Sequence, residues 1–113
     1  MTIEPKTLVQ YQEKVKELVK RFNLDWSIYV RYIHLVEELG EMGEALTVDQ
    51  GDRKKGSGES ALADHTDLKE ELGDVLFGLI DIANKLEVNM SDVLETTFSR
   101  YEKKLVRLKK KVE

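Results

Sequence analysis

At 113 residues and a formal charge of −4 of mixed sign, the chain is sized for one domain and offers no electrostatic basis for nucleic-acid binding. It has no cysteine, which excludes disulfides, thiolate metal sites and a cysteine nucleophile. The N-terminal stretch, MTIEPKTLVQYQEKVKEL, is charged from its start, and no apolar run approaches the ~18 residues of a membrane span; a cytoplasmic protein with no membrane partner is expected.

Pro5 suits the first turn of a helix, and Leu8, Tyr11, Val15, Leu18, Val19 and Phe22 then recur at helical spacing. Asn23-Leu24-Asp25 interrupts that pattern, and Asp25 or Ser27 can cap a second helix from about Trp26 to Val48. Its apolar stripe is Ile28, Tyr32, Leu35, Leu39, Met42 and Leu46. A Gly-rich connection of mixed charge, 49–66, follows without periodicity; a loop of this length is expected to be either functional or disordered. Asp67 with Glu70 resembles a capping pair for a third helix to Leu86. That helix is apolar nearly all round, broken only by a stripe of Glu71, Asp74, Gly78 and Asp81. In so short a chain, such a helix predicts that a second subunit supplies part of its cover. Ser91 is a good N-cap for a last helix of about Asp92 to Lys111, with the stripe Leu94, Phe98, Tyr101, Leu105, Leu108 and Val112. There is no strand-like alternation, and the expectation is one all-α domain, 1–113, built as a four-helix bundle.

Chemistry concentrates in two places. The second helix carries Glu37, Glu38, Glu41 and Glu44 within two turns, and the third opens with Glu71 and Asp74. Glu38 and Glu41, like Glu71 and Asp74, are spaced i, i+3 and share one side of their helix. A run of glutamates is ordinarily a solvated face. Here Glu38 borders the apolar stripe, and the third helix is otherwise greasy, so acids on the buried side call for a cation or a hydrogen-bond partner. An all-carboxylate donor set favours Mg²⁺, with Mn²⁺ as a close substitute. Neither histidine, His34 or His65, sits three residues after a glutamate, which disfavours a di-iron bundle. Magnesium held by carboxylates keeps positions open for water and substrate phosphates.

At these residues the chain resembles the MazG-like, all-α nucleoside triphosphate pyrophosphohydrolases. Glu37-Glu38-x-x-Glu41 and Glu71-x-x-Asp74 match the family's EExxE…ExxD signature, flanked by LVEELGEMGEAL and ELGDVLFGLIDIANKLEV. The resemblance covers roughly Trp26 to Arg107. It implies Mg²⁺-dependent hydrolysis of a nucleoside triphosphate to its monophosphate and pyrophosphate, for clearance of the nucleotide pool. Carried over, it makes Glu38, Glu41, Glu71 and Asp74 metal ligands, with Glu37 or Glu41 orienting or deprotonating the attacking water. It also implies a homodimer or homotetramer, and a nucleotide contact at Asn84, for which a structural hydrogen bond is the competing role. Lys104 stands where some relatives carry an asparagine, and the 49–66 loop is longer than in compact members.

Arg100, Lys103 and Arg107 gather on one side of the last helix and are candidates to hold phosphates, against the ordinary reading of a solvated basic helix end. Lys54 and Lys55 are weaker candidates of the same kind. Trp26 is a candidate to stack on a base, although a tryptophan at a helix start is more often core. His34 and His65 are expected to be structural or solvent-facing. Two other functional classes fit the same residues: a non-catalytic helical protein-interaction module and a metal-binding bundle without turnover.

Overall fold

A computed structural model of the chain describes residues 4–51 and 67–112. They form four helices with no strand among them: α1 (Leu8–Arg21), α2 (Ile28–Asp49), α3 (Leu68–Lys85) and α4 (Met90–Val112). The expectations for residues 52–66, including Lys54, Lys55 and His65, lie outside the described residues.

The caps explain where the helices begin. Pro5 precedes α1 rather than opening it: the Thr7 side chain accepts from the Gln10 backbone N–H while the Gln10 side chain accepts from the Thr7 N–H, a reciprocal box that starts the helix at Leu8. Ser27, not Asp25, caps α2, and Asp67 caps α3 through the Glu70 N–H as expected. The start of α4 corrects the sequence expectation. Asn89 accepts from the Asp92 N–H, so the helix begins before Ser91. The Met90 N–H, which would otherwise lack a partner, donates to Gln12 Oε1. Helices α1 and α3 both end in a residue of positive φ, Asn23 at 55° and Glu87 at 57°, each followed by a backbone bond reaching back to close the last turn.

Helices α2 and α3 pack in antiparallel register. Arg31 meets Asp81, Leu35 borders Gly78 and Glu38 meets Asp74 in succession along the pair. Helix α1 lies against α3, and α4 packs chiefly on α1. A polar knot fixes α1 to the α3–α4 turn. Buried Gln12 donates to Asn84 Oδ1 and to the Val88 carbonyl, and the Asn84 amide donates back to the Gln12 carbonyl. Gln12→Ala leaves several of these buried groups without partners, so a loss of about 2 kcal/mol is expected. A lower urea midpoint at unchanged slope checks it.

The apolar residues are distributed unlike those of a finished domain. Among the described residues only Val15, Val19 and Ala45 are buried apolar side chains, whereas Gln12, Arg31 and Glu71 are equally buried. Of the expected α2 stripe, Tyr32, Leu39 and Leu46 are exposed, and the face turned to α3 carries Arg31 and Glu38 beside Leu35. The α4 stripe is exposed throughout, from Leu94 to Val112, and no residue of that helix is buried. The polar chemistry faces inward between α2 and α3 while much apolar surface faces out.

Candidate metal centre and adjoining cavity

The antiparallel register brings the two acidic pairs together. Carboxylate oxygens of Glu38, Glu71 and Asp74 all lie within 4.8 Å of one another. Glu71 is 6 % exposed, Glu38 is half-buried and Asp74 reaches the surface, so the group opens outward from a buried base. The Glu41 carboxyl is not one of the three converging groups, but it lies near Glu38 and its charge opposes that of Glu38. Glu37 is exposed on the outer side of α2.

Negative charge dominates the electrostatics of Glu38 at this centre. Burial raises the Glu38 pKa above its ordinary value; the negative charges of Glu41 and Asp74 push it further, and His34 pulls the other way. The His34 Nε2 is 3.1 Å from Glu38 Oε1, although the ring is half exposed. The other Glu38 oxygen, Oε2, is buried with no donor to satisfy it. Glu44, one turn beyond Glu41, also holds a buried oxygen without a donor. Three converging carboxylates and an orphaned buried oxygen fit a hard divalent cation, which would add positive charge beside that of His34.

This has a consequence for stability without metal. Between the unfolded and the raised folded pKa of Glu38, the folded protein keeps a proton that the unfolded chain has released. Its contribution is full below the unfolded value and lost as pH rises through the folded one. Thermal melts in chelator are therefore expected to fall from mildly acidic to neutral pH, and the fall is expected to shrink with Mg²⁺ present. Asp81, also raised, first by burial and against the pull of Arg31, contributes to the slope in both series, so their difference isolates the acidic centre.

Next to the carboxylates, α2, α3 and the α1–α2 connection enclose a cavity of about 240 Å³. Glu38 and Asp74 stand at one end; Trp26, His34, Phe77 and Gly78 line its course, and Arg31 and Asp81 stand at the other end. The Arg31 side chain is 4 % exposed. Its Nη1 donates to Asp81 Oδ1 at 2.7 Å, its Nε to the Trp26 carbonyl at 2.8 Å and its Nη2 to Asp25, which also pairs with Lys85.

The structure thus gathers Glu38, Glu71 and Asp74, keeps Glu41 beside them and sets Trp26 on the adjoining cavity. It places the other candidates elsewhere. Both ends of the Asn84 amide are engaged with Gln12. Arg100, Lys103 and Arg107 are exposed on α4 and do not line the cavity, and the Arg100 guanidinium rests over the Tyr101 ring. Sequence reasoning missed Arg31 and left His34 aside. The available signal was periodicity: Arg31 precedes Glu38, and Asp81 follows Asp74, by two helical turns, so the acidic face continues into an ion pair.

Fold and site together are those of an all-α chain with a carboxylate cluster that could hold a metal ion, beside a small cavity lined in part by aromatic side chains. Comparison with known proteins gives the family. The sequence profile of the MazG nucleotide pyrophosphohydrolase domain matches residues 31–112, and the chain belongs to that family. It is 28 % identical over 97 residues to YpjD, an uncharacterized protein of Bacillus subtilis strain 168, across 85 % of this chain and 84 % of that protein. The crystal structure of YpjD from Bacillus subtilis superposes with a TM-score of 0.73 at 25 % identity, covering 88 % of this chain and 96 % of the other. That of the Bacillus-conserved MazG protein, a nucleotide pyrophosphohydrolase, gives 0.70 at 26 % identity, covering 88 % and 93 %.

Proposed function

We propose that the protein, acting as a single domain over residues 1–113, hydrolyses nucleoside triphosphates to the monophosphate and pyrophosphate in a Mg²⁺-dependent reaction, with Mn²⁺ as a substitute. The observation that carries this is the convergence of Glu38, Glu71 and Asp74 on one point beside a cavity. Family membership and likeness to the Bacillus-conserved MazG protein support it. Glu38, Glu71 and Asp74, with Glu41 completing the set, would hold the ion, which supplies Lewis-acid withdrawal of charge from the phosphate oxygens. Glu41 takes the proton of the attacking water; its half-buried place beside the centre favours it over the exposed Glu37. The water oxygen bonds to the α-phosphorus, the bond from that phosphorus to the α–β bridging oxygen breaks, and pyrophosphate leaves.

The phosphate contacts proposed for Arg100, Lys103 and Arg107 require a second copy of the chain, since α4 packs chiefly on α1 and these side chains lie away from the cavity. A homodimer, or a tetramer of such dimers, would cover the outward apolar faces of α2, α3 and α4. Asn84 takes part by holding α1 on α3 rather than through a free amide.

The test is a panel of ribo- and deoxyribonucleoside triphosphates with Mg²⁺, with product identification. Pyrophosphate is expected. Orthophosphate instead would mean that a different bond is cut, and tight Mg²⁺ binding with no turnover on any nucleotide would leave a non-catalytic metal-binding module.

A further inference from the structure

The cavity that begins at Glu38 and Asp74 has a second, differently built end, and nothing in phosphate chemistry accounts for it. Asp74 and Asp81 are two helical turns apart on α3, which separates the two ends by about 10 Å along the helix. That is roughly the reach of a nucleoside from its α-phosphate to the far edge of its base. The walls between include two aromatic side chains, Trp26 and Phe77, which are 49 % and 40 % exposed, together with Val19 and Leu24. Gly78 stands on the same wall. A Cβ built there would meet nothing nearer than the Leu35 Cδ1 at 3.4 Å, an ordinary contact. Helix packing therefore does not require glycine at this position, and a glycine there costs helix stability. Its effect is to leave room in the cavity.

The chemistry of the far end is one-sided. The Arg31 guanidinium is almost wholly buried, and Trp26, Asp81 and Asp25 occupy its Nε and both its terminal nitrogens. Asp81 Oδ1 accepts from Arg31, while Oδ2 accepts from nothing among the described residues. An occupant of the cavity therefore meets an acceptor held rigidly by a buried cation.

We propose that this cavity is the nucleobase pocket and that Asp81 makes it select bases carrying an exocyclic amino group, cytosine and adenine, over their oxo counterparts uracil and hypoxanthine. An amino group donates to the carboxylate, whereas a carbonyl in the same place sets two acceptors against each other. Trp26 stacks on the base, and Gly78 admits the sugar between the helices. The inference rests on the reading of the Glu38–Asp74 end as the phosphate end.

Trp26 is the only tryptophan of the chain, so its fluorescence reports on the pocket directly. The experiment titrates the full-length protein in Mg²⁺ with nucleoside monophosphates in matched pairs, CMP against UMP and AMP against IMP. Quenching is expected with roughly tenfold tighter binding for the amino member of each pair. Asp81→Asn, whose amide can turn to offer either a donor or an acceptor, is expected to bring both ratios close to one. Because that substitution also disturbs Arg31, Gly78→Ala provides a second arm: a raised melting temperature together with several-fold weaker binding of all four nucleotides. Equal affinity within both pairs, or binding unaltered by Gly78→Ala, overturns the proposal. Binding is read without turnover, so the outcomes separate. Pyrophosphate release with no base preference leaves the hydrolase reading standing without this pocket, and base-selective quenching without turnover does the reverse.

Discussion

Glu38→Gln is expected to reduce pyrophosphate release by on the order of 10²–10³-fold while making the metal-free protein more stable. Both effects have one origin. The carboxylate is placed among Glu41, Glu71 and Asp74, with one oxygen buried and lacking a donor. When a divalent cation is bound, that oxygen helps to hold charge that stabilises the transition state by several kcal/mol, and each ~1.4 kcal/mol lost is tenfold in rate. When no cation is bound, burial and the charges of Glu41 and Asp74 oppose the same negative charge, and His34 offsets them only in part. Removing it relieves that penalty, so the melting temperature in chelator is expected to rise. Activity assays with Mg²⁺ and thermal melts in chelator should therefore move in opposite directions. A variant that lost activity by misfolding would lose both. Asp74→Asn is expected to behave alike in activity, with a smaller stability gain because its carboxylate is exposed.

Arg31→Met is the most destabilising single change expected at the α2–α3 seam, about 3–5 kcal/mol. The guanidinium is buried, and its loss strands the Asp81 carboxylate and the Trp26 and Asp81 carbonyls. The cost arises less from the attraction forgone than from the buried charge left uncompensated. The double variant Arg31→Met/Asp81→Leu removes that charge and should recover much of the loss. Urea unfolding of the four members of this cycle measures the coupling. Additive losses, with no recovery in the double variant, would show that Asp81 is not held by Arg31.

Much of this arrangement was legible in the residues. Glu38, Glu41, Glu71 and Asp74 stood out because i, i+3 spacing is a local property, and caps such as Ser27 and Asp67 are local as well. What the sequence concealed depends on partners distant in the chain. Asn84 gave no sign that its amide would meet Gln12, 72 positions earlier. Arg31 went unremarked in the sequence, because only the antiparallel register sets it against Asp81. The apolar stripes of α2 and α4 were found by their period, but period tells which residues share a face and not what covers it. In this chain several of those faces look outward, and polar groups take the seam between α2 and α3.

The same two helices carry the ion pair at one end of the seam and the acids two turns away. Arg31 and Asp81 thereby act as an alignment pin: with that joint locked, neither rod can slide or roll without breaking it, and the distant oxygens keep their spacing. One extra residue anywhere between Arg31 and Glu38 would leave the pin engaged but swing Glu38 about 100° around its axis, out of line with Asp74. The length of that short run of helix is thus as strict a requirement as the identity of the acids it positions.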